Sequence, residues 1–246
     1  MSNSRRGFIP TDEKEFSKES QILLCQAQQD ILYLLERGYS IKNASTFVGN
    51  HYMLSERQRL ALVRATATKG VLQSRRSRQL TCDTLGKKVY LDGLNVIITL
   101  EVALSEGTLI RCMDETIRDL AGLRGTYRLI DATEEAIRLI GDHLSNLKVD
   151  EVTFYLDAPV SNTGRLKLKL LEILSRYPYQ VSVELVNNVD VILEKHENVI
   201  TGDAIILNKC ISWYNLVAEI TEEILPDSSY VELGGSNIFI DDISFE

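Results

Sequence analysis

Sulfur and imidazole are scarce and scattered in this chain, which removes several chemistries at once. The four cysteines (Cys25, Cys82, Cys112, Cys210) form no Cys-x-x-Cys pair, so neither a sulfur-based zinc site nor a disulfide framework is expected. They read as small packing residues among apolar neighbours. The three histidines (His51, His143, His196) are equally dispersed, with no His-x-x-x-His, which argues against a zinc enzyme or a histidine-based triad. No run of about 18 apolar residues occurs; the richest stretch, Val89 to Leu104, is broken by Asp92, Asn95 and Glu101. Thr11-Asp12-Glu13-Lys14-Glu15 stands where the apolar core of a secretory signal would lie, so a cytoplasmic protein with no membrane partner is the expectation. No glycine-rich fingerprint follows the first predicted strand, against a small-molecule enzyme on a doubly wound sheet.

What is present is ordinary in bulk and uneven in detail. At 246 residues, 44% hydrophobic and 25% charged, the chain has room for one large domain or a domain with an appendage. Its net charge of −8 hides an asymmetry. Between Ser55 and Lys88, nine basic residues (Arg57, Arg59, Arg64, Lys69, Arg75, Arg76, Arg78, Lys87, Lys88) face only Glu56 and Asp83, a local balance of +7 that leaves −15 elsewhere. A basic block on an acidic protein suggests a polyanion partner, and Arg75, Arg76 and Arg78 are its candidate nucleic-acid contacts. A solvated helix face plus a linker is the alternative.

The first 80 residues read as a basic, all-helical segment. Ser17 can cap a helix to about Arg37, with Leu24, Ala27, Ile31 and Leu34 at helical spacing and Gly38 ending it. Ser40 starts a short helix stopping near Gly49, and Ser55 caps a third. Residues 49–54 join these last two as a helix-turn-helix with a long turn, or as a plain helical hairpin. Val71 to Gly86 reads as a linker. From residue 87 onward short apolar strands alternate with helices: strands at Lys88–Leu91, Glu151–Leu156, Val181–Val186 and Asn198–Thr201, a helix after the first strand and another over Thr163–Arg176. A further helix carries Leu207, Cys210, Ile211, Tyr214 and Val217. This pattern predicts an α/β, three-layer domain with a mainly parallel sheet over 87–246. Residues 107–127 suggest an inserted small hairpin. Gly234-Gly235-Ser236-Asn237 is a loop without an assigned role, and Asp131 with Glu134 reads as a capping box.

Three of those strands end in aspartate: Leu91-Asp92-Gly93, Leu156-Asp157-Ala158 and Thr201-Gly202-Asp203. Ligands in open parallel sheets bind beyond the strands' carboxyl ends. Asp92, Asp157 and Asp203 brought together there would repel unless a cation or a raised pKa relieved them, and oxygen ligands suit Mg²⁺ or Mn²⁺. Capping by Asp203 and a turn at Asp157 are the bland readings of those two. Ser161-Asn162-Thr163-Gly164-Arg165 opens the helix after Asp157, offering backbone N–H groups, hydroxyls and a guanidinium to a phosphate. An ordinary N-cap by Asn162 or Thr163 serves equally well there.

Tyr90-Leu91-Asp92-Gly93-Leu94-Asn95-Val96 and Val199-Ile200-Thr201-Gly202-Asp203-Ala204 resemble the first and a later strand end of the PIN-like and NYN-like nucleases. Asn188-Val189-Asp190-Val191 is similar to the short helix between them in the NYN branch. The resemblance implies a PIN-like fold, Asp92, Asp157, Asp190 and Asp203 as metal ligands and acidic positions, and Asn95 as an orienting or substrate contact. Ser161, Asn162, Thr163 and Arg165 join Asn95 as candidate substrate contacts. It further implies a Mg²⁺- or Mn²⁺-dependent ribonuclease, with RNA a better candidate than DNA and a homodimer one compatible assembly. The sequence departs where many NYN-like chains place another aspartate: Ile205 stands there, so the set is either incomplete or completed by Glu101, Asp114 or Asp119. A non-catalytic nucleic-acid-binding scaffold is the competing expectation. The whole chain, from Arg5-Arg6-Gly7-Phe8 through Asp157-Ala158-Pro159-Val160-Ser161-Asn162, also resembles the prokaryotic proteins of domain-of-unknown-function family 434 joined to family 5616, a likeness that implies no activity.

Overall fold

The computed structural model describes residues 5–122, 125–225 and 230–233; the 234–237 loop lies outside them. The N-terminal part is helical, as its caps dictate. A short α1 (Asp12–Glu15) precedes α2 (Lys18–Glu36), α3 (Ile41–His51) and α4 (Glu56–Ala65). The side chains of Ser17, Ser40 and Ser55 accept from the backbone N–H three residues on, and Ser55 with Gln58 closes a full capping box. Gly38 ends α2 in the left-handed region at φ +84°, where a Cβ is disfavoured. The segment read as a linker instead forms α5 (Lys69–Arg76), capped by Thr68. It is held by tertiary contacts: Trp213 Nε1 donates to Arg75 O at 2.8 Å.

The second part is a five-stranded parallel sheet in the order β5-β4-β1-β6-β7, comprising β1 (Lys88–Asp92), β4 (Glu151–Asp157), β5 (Gln180–Val186), β6 (Val199–Ile200) and β7 (Trp213–Tyr214). Side chains alternate across it. Val89 and Leu91 enter one core with α6 (Gly93–Leu104), α7 (Asp131–Asn146), α8 (Thr163–Leu174) and α11 (Leu216–Ile224), while Tyr90 packs beside Tyr155 on the opposite face. That face is covered by α9 (Val189–Leu193) and α10 (Ala204–Leu207). Helices on both faces of a parallel sheet match the expected three-layer α/β class.

Two local expectations are corrected. The helix expected to carry Leu207 through Val217 is three elements, α10, β7 and α11; Trp213 and Tyr214 pair with Val199 and Ile200 as a strand. Asp131 is the first residue of α7, not its cap. Thr133 Oγ1 accepts from Ile130 N at 2.9 Å and does that work. The 107–127 region does hold a hairpin, β2 (Leu109–Arg111) with β3 (Ile117–Asp119), extended by β8 (Tyr230–Glu232) beside β2. Ile110, Cys112, Leu120, Val231 and Leu233 from this small sheet share one core with Leu24, Ile31, Val48 and Leu62 of the helices, so the helical part docks on the domain. Among the cysteines, Cys112 and Cys210 are buried as expected, whereas Cys82 is exposed. No helix among the described residues is long and apolar enough to cross a membrane.

Candidate functional site

The order of the main sheet creates a switch point. From β1 the chain moves outward through β4 and β5, then returns to the other side of β1 for β6 and β7. Loops leaving β1 and β6 there diverge to opposite faces, the place where open parallel sheets form their ligand crevice. Asp92 closes β1 and caps α6, and Asp203 caps α10 just after β6. Gly93 lets the start of α6 lie close against β4: a Cβ there would stand 2.6 Å from Leu156 Cδ2 and 3.1 Å from Tyr155 O.

A short network ties the two loops together. Thr201 Oγ1 donates to Asp92 Oδ2 at 3.0 Å and accepts from Asp203 N at 2.9 Å. Asn95 Oδ1 accepts from Gly202 N at 2.7 Å, and Asp92 Oδ1 accepts from Asn95 N at 3.4 Å. On the far side, Arg118 Nε donates to Gly202 O at 2.7 Å. Asp203 Oδ1 accepts from Ile205 N at 2.7 Å and Ile206 N at 3.3 Å. Asp203 therefore caps α10 from the same loop that meets Asp92 through Thr201.

Of the four expected aspartates, Asp92 and Asp190 feel the charge of Asp203 and Asp157. Asp92, 6% exposed, has its carboxyl pushed up to about 7, first by burial and next by Asp203, with a smaller push from Asp157. Asp190, half-buried on α9, is raised by burial, then by Asp203 and Asp157. Burial raises Asp157 too, opposed by a hydrogen bond from the Val189 backbone. Proximity stops short of coordination: among the described residues, no three His, Cys, Asp or Glu side chains already stand where they could share a metal ion.

The acids considered for completing this set are engaged elsewhere. Glu101, fully buried, faces Arg6, Tyr127 and Thr133. Asp114 lies between Arg75 and Arg118, and Asp119 accepts from Thr99 Oγ1 at 2.8 Å and Ala121 N at 2.7 Å. Ile205 is 53% exposed beside Asp203.

The loop before α8 is built differently from its expectation. Asn162 adopts φ +70° and uses its amide on Tyr127 O at 2.8 Å, leaving no side-chain cap. Thr163 is buried and donates to Val160 O at 2.9 Å. Ser161 and Arg165 are exposed.

The basic block changes most between sequence and structure. Arg75 is buried, paired with Asp114, and donates to Asn208 Oδ1 at 2.9 Å and Ala204 O at 3.3 Å. Arg78 donates to Cys210 O at 2.6 Å and Leu207 O at 3.0 Å. Arg75 is enclosed and Arg78 half-buried, and both guanidiniums reach carbonyls of α10 and the turn after it. Arg57, Arg59, Arg64, Lys87 and Lys88 also have protein partners. Within the block, Lys69 and Arg76 are exposed, and Lys69 is tied through its backbone N–H, which donates to Glu36 Oε1 at 2.6 Å. Sequence reasoning missed the roles of Thr201 and Arg118. Thr201 stood inside the quoted strand-end motif, whereas nothing in the sequence marks Arg118.

Comparison with known proteins agrees with this two-part layout. The description "Domain of unknown function (DUF5616)" matches residues 82–219, and "Protein of unknown function (DUF434)" matches residues 23–78. Their junction falls between α5 and β1. The chain is similar to "Uncharacterized protein MJ0935" of Methanocaldococcus jannaschii, 34% identical over 200 residues that cover 80% of this chain and 96% of that protein. No solved structure matches. With that coverage, the chain belongs to the family described as Domain of unknown function (DUF5616), joined here to a DUF434 segment.

Proposed function

We propose that the crevice at the strand ends is the site of a Mg²⁺- or Mn²⁺-dependent nuclease with a PIN-like domain, acting on RNA in preference to DNA. The observation that carries this reading is buried Asp92, set against the charge of half-buried Asp203 and Asp157. Asp92 is driven up to about 7 by burial and by Asp203 and Asp157, and a divalent cation relieves that repulsion. The donors offered are oxygens, which fit a hard cation. Asp157 and Asp190 are half-buried, so each carboxylate keeps a side open to an ion.

In this reading Asp92 and Asp203 hold the metal, with Asp157 and Asp190 completing its surroundings. The bound ion supplies polarisation of a phosphodiester and a more acidic water. Asn95 uses its carbonyl oxygen on Gly202 N, which leaves its NH₂ for a phosphate oxygen. Exposed Ser161 and Arg165 line the approach, and Asn162 and Thr163 hold that loop's shape rather than contact substrate.

A second reading has its own support. Ile205 stands beside Asp203 where a further acid would complete the set, which favours a non-catalytic nucleic-acid-binding or scaffold protein on a nuclease-like fold.

The deciding experiment is cleavage of labelled single-stranded and structured RNAs and matching DNAs in Mn²⁺, Mg²⁺ or EDTA, with wild type beside Asp92→Asn and Asp203→Asn. Metal-dependent cutting lost in both variants is the expected result. Salt-sensitive binding without cutting in all three proteins would replace the enzyme by the scaffold.

A further inference from the structure

We infer that Arg118 is a positioning residue for the acidic crevice, and that through it the helical N-terminal part sets the geometry of the loop carrying Asp203. The inference rests on the functional reading above only for its metal readout.

Gly202 is gripped from both sides. Its N–H donates to Asn95 Oδ1 and its C=O accepts from Arg118 Nε, each at 2.7 Å. That C=O and the Asp203 N–H form one peptide group, and the N–H is held by Thr201 Oγ1 at 2.9 Å. With both ends held, the plane of that group fixes where the carboxylate starts. Arg118 is buried on β3 and is itself fixed at two further points. One terminal nitrogen reaches the carbonyl of Arg64 at the end of α4, and the other meets Asp114 Oδ2 at 2.6 Å. Asp114 also pairs with Arg75 of α5, whose remaining donors reach Ala204 O and Asn208 Oδ1. The segment 202–208 is therefore held at Gly202, Ala204 and Asn208 by a single Arg118–Asp114–Arg75 unit bridging both halves of the chain.

A planar guanidinium with several donors suits this task, because one group satisfies two carbonyls and a carboxylate in fixed directions. Arg118 brings positive charge close to Asp203 as well, which offsets part of the repulsion among the aspartates without occupying the crevice. Removing Arg118 leaves Asp114 paired with Arg75, so the lesion is centred on Gly202 O and Arg64 O.

The test compares Arg118→Met and Arg118→Lys with Arg6→Met, which breaks a buried ion pair to Glu101 outside the crevice. Two quantities are read in the full chain: amide hydrogen exchange of residues 201–208, and the Mn²⁺ concentration dependence of the melting temperature. Arg118→Met is expected to speed exchange of 201–208 at least about tenfold and to weaken the Mn²⁺ response by a similar factor, following a local opening rather than global unfolding. Arg118→Lys, retaining one donor for Gly202 O, should recover part of both, and Arg6→Met should lower the melting temperature while leaving both local readouts as in wild type. Exchange of 201–208 that rises no more in Arg118→Met than in Arg6→Met would overturn the inference. A wild type that ignores Mn²⁺ while the exchange pattern holds would overturn the metal reading and leave the positioning role standing.

Discussion

Two groups of buried carboxylates in this molecule meet opposite surroundings. Asp114 sits between Arg75 and Arg118, which together hold its carboxyl below its ordinary value against the upward push of burial. Asp92 is equally removed from water but meets a hydroxyl, a backbone N–H and other carboxylates, and is pushed up to about 7. Buried acids matched by cations hold a fold together; a buried acid set against its own kind destabilises it and is a mark of function. The difference separates the lattice that builds the crevice from the side chains that would work in it.

The strongest way to break this comparison is Asp114→Asn. It leaves two buried guanidiniums without their counterion, and stability should fall by about 3–5 kcal/mol in urea denaturation. The pH dependence has the sign of a lowered carboxyl: this stabilisation is present above 3.8 and is lost as pH falls through the folded value. A loss below about 1 kcal/mol would mean that the pairing is screened like a surface bridge, and the contrast with Asp92 would dissolve.

Asp92→Asn should act in the opposite direction. Because the folded carboxyl titrates near 7 rather than 3.8, its favourable contribution is complete below 3.8 and is lost as pH rises through about 7. Metal-free wild type should therefore weaken between pH 5 and pH 8, and the variant should be flatter. At pH 8 in EDTA the variant should exceed wild type by about 2 kcal/mol, below the full linkage value because asparagine cannot accept both the Thr201 and Asn95 hydrogen bonds as well. A variant weaker than wild type at pH 8 would show that Asp92 is a structural acid like Asp114.

What the sequence made legible follows the same division. Local chemistry was readable: Ser17, Ser40 and Ser55 mark helix starts, and each strand-end aspartate stands where period and length place it. Long-range satisfaction was not. The run 71–86 reads as a linker because its polar residues find their partners about 130 positions away, at Asn208, Leu207 and Cys210. Leu207, Cys210, Tyr214 and Val217 have helical spacing, yet β7 takes Tyr214 because pairing with β6 extends the sheet. β2 and β3 have three residues each, too few for an alternating pattern to emerge, so Arg118 carries no local signal. A count of charges reports a basic block; partners decide whether it is surface.

The smallest expected effect sharpens that last point inside one turn of chain. Arg78 donates to three carbonyls at and just after the end of α10, two of these bonds partly buried, so Arg78→Ala should cost about 1 kcal/mol through the hydrogen bonds lost. Arg76 is exposed, and Arg76→Ala should leave stability within about 0.5 kcal/mol of wild type. If the exposed remainder of the basic block grips a polyanion, the same Arg76→Ala substitution should lower the slope of log affinity against log salt by about 1, read by fluorescence anisotropy on a labelled single-stranded RNA. An unchanged slope, with Lys69→Ala also without effect, would remove these exposed cations of the block from any nucleic-acid contact and leave its arginines as struts beneath the crevice.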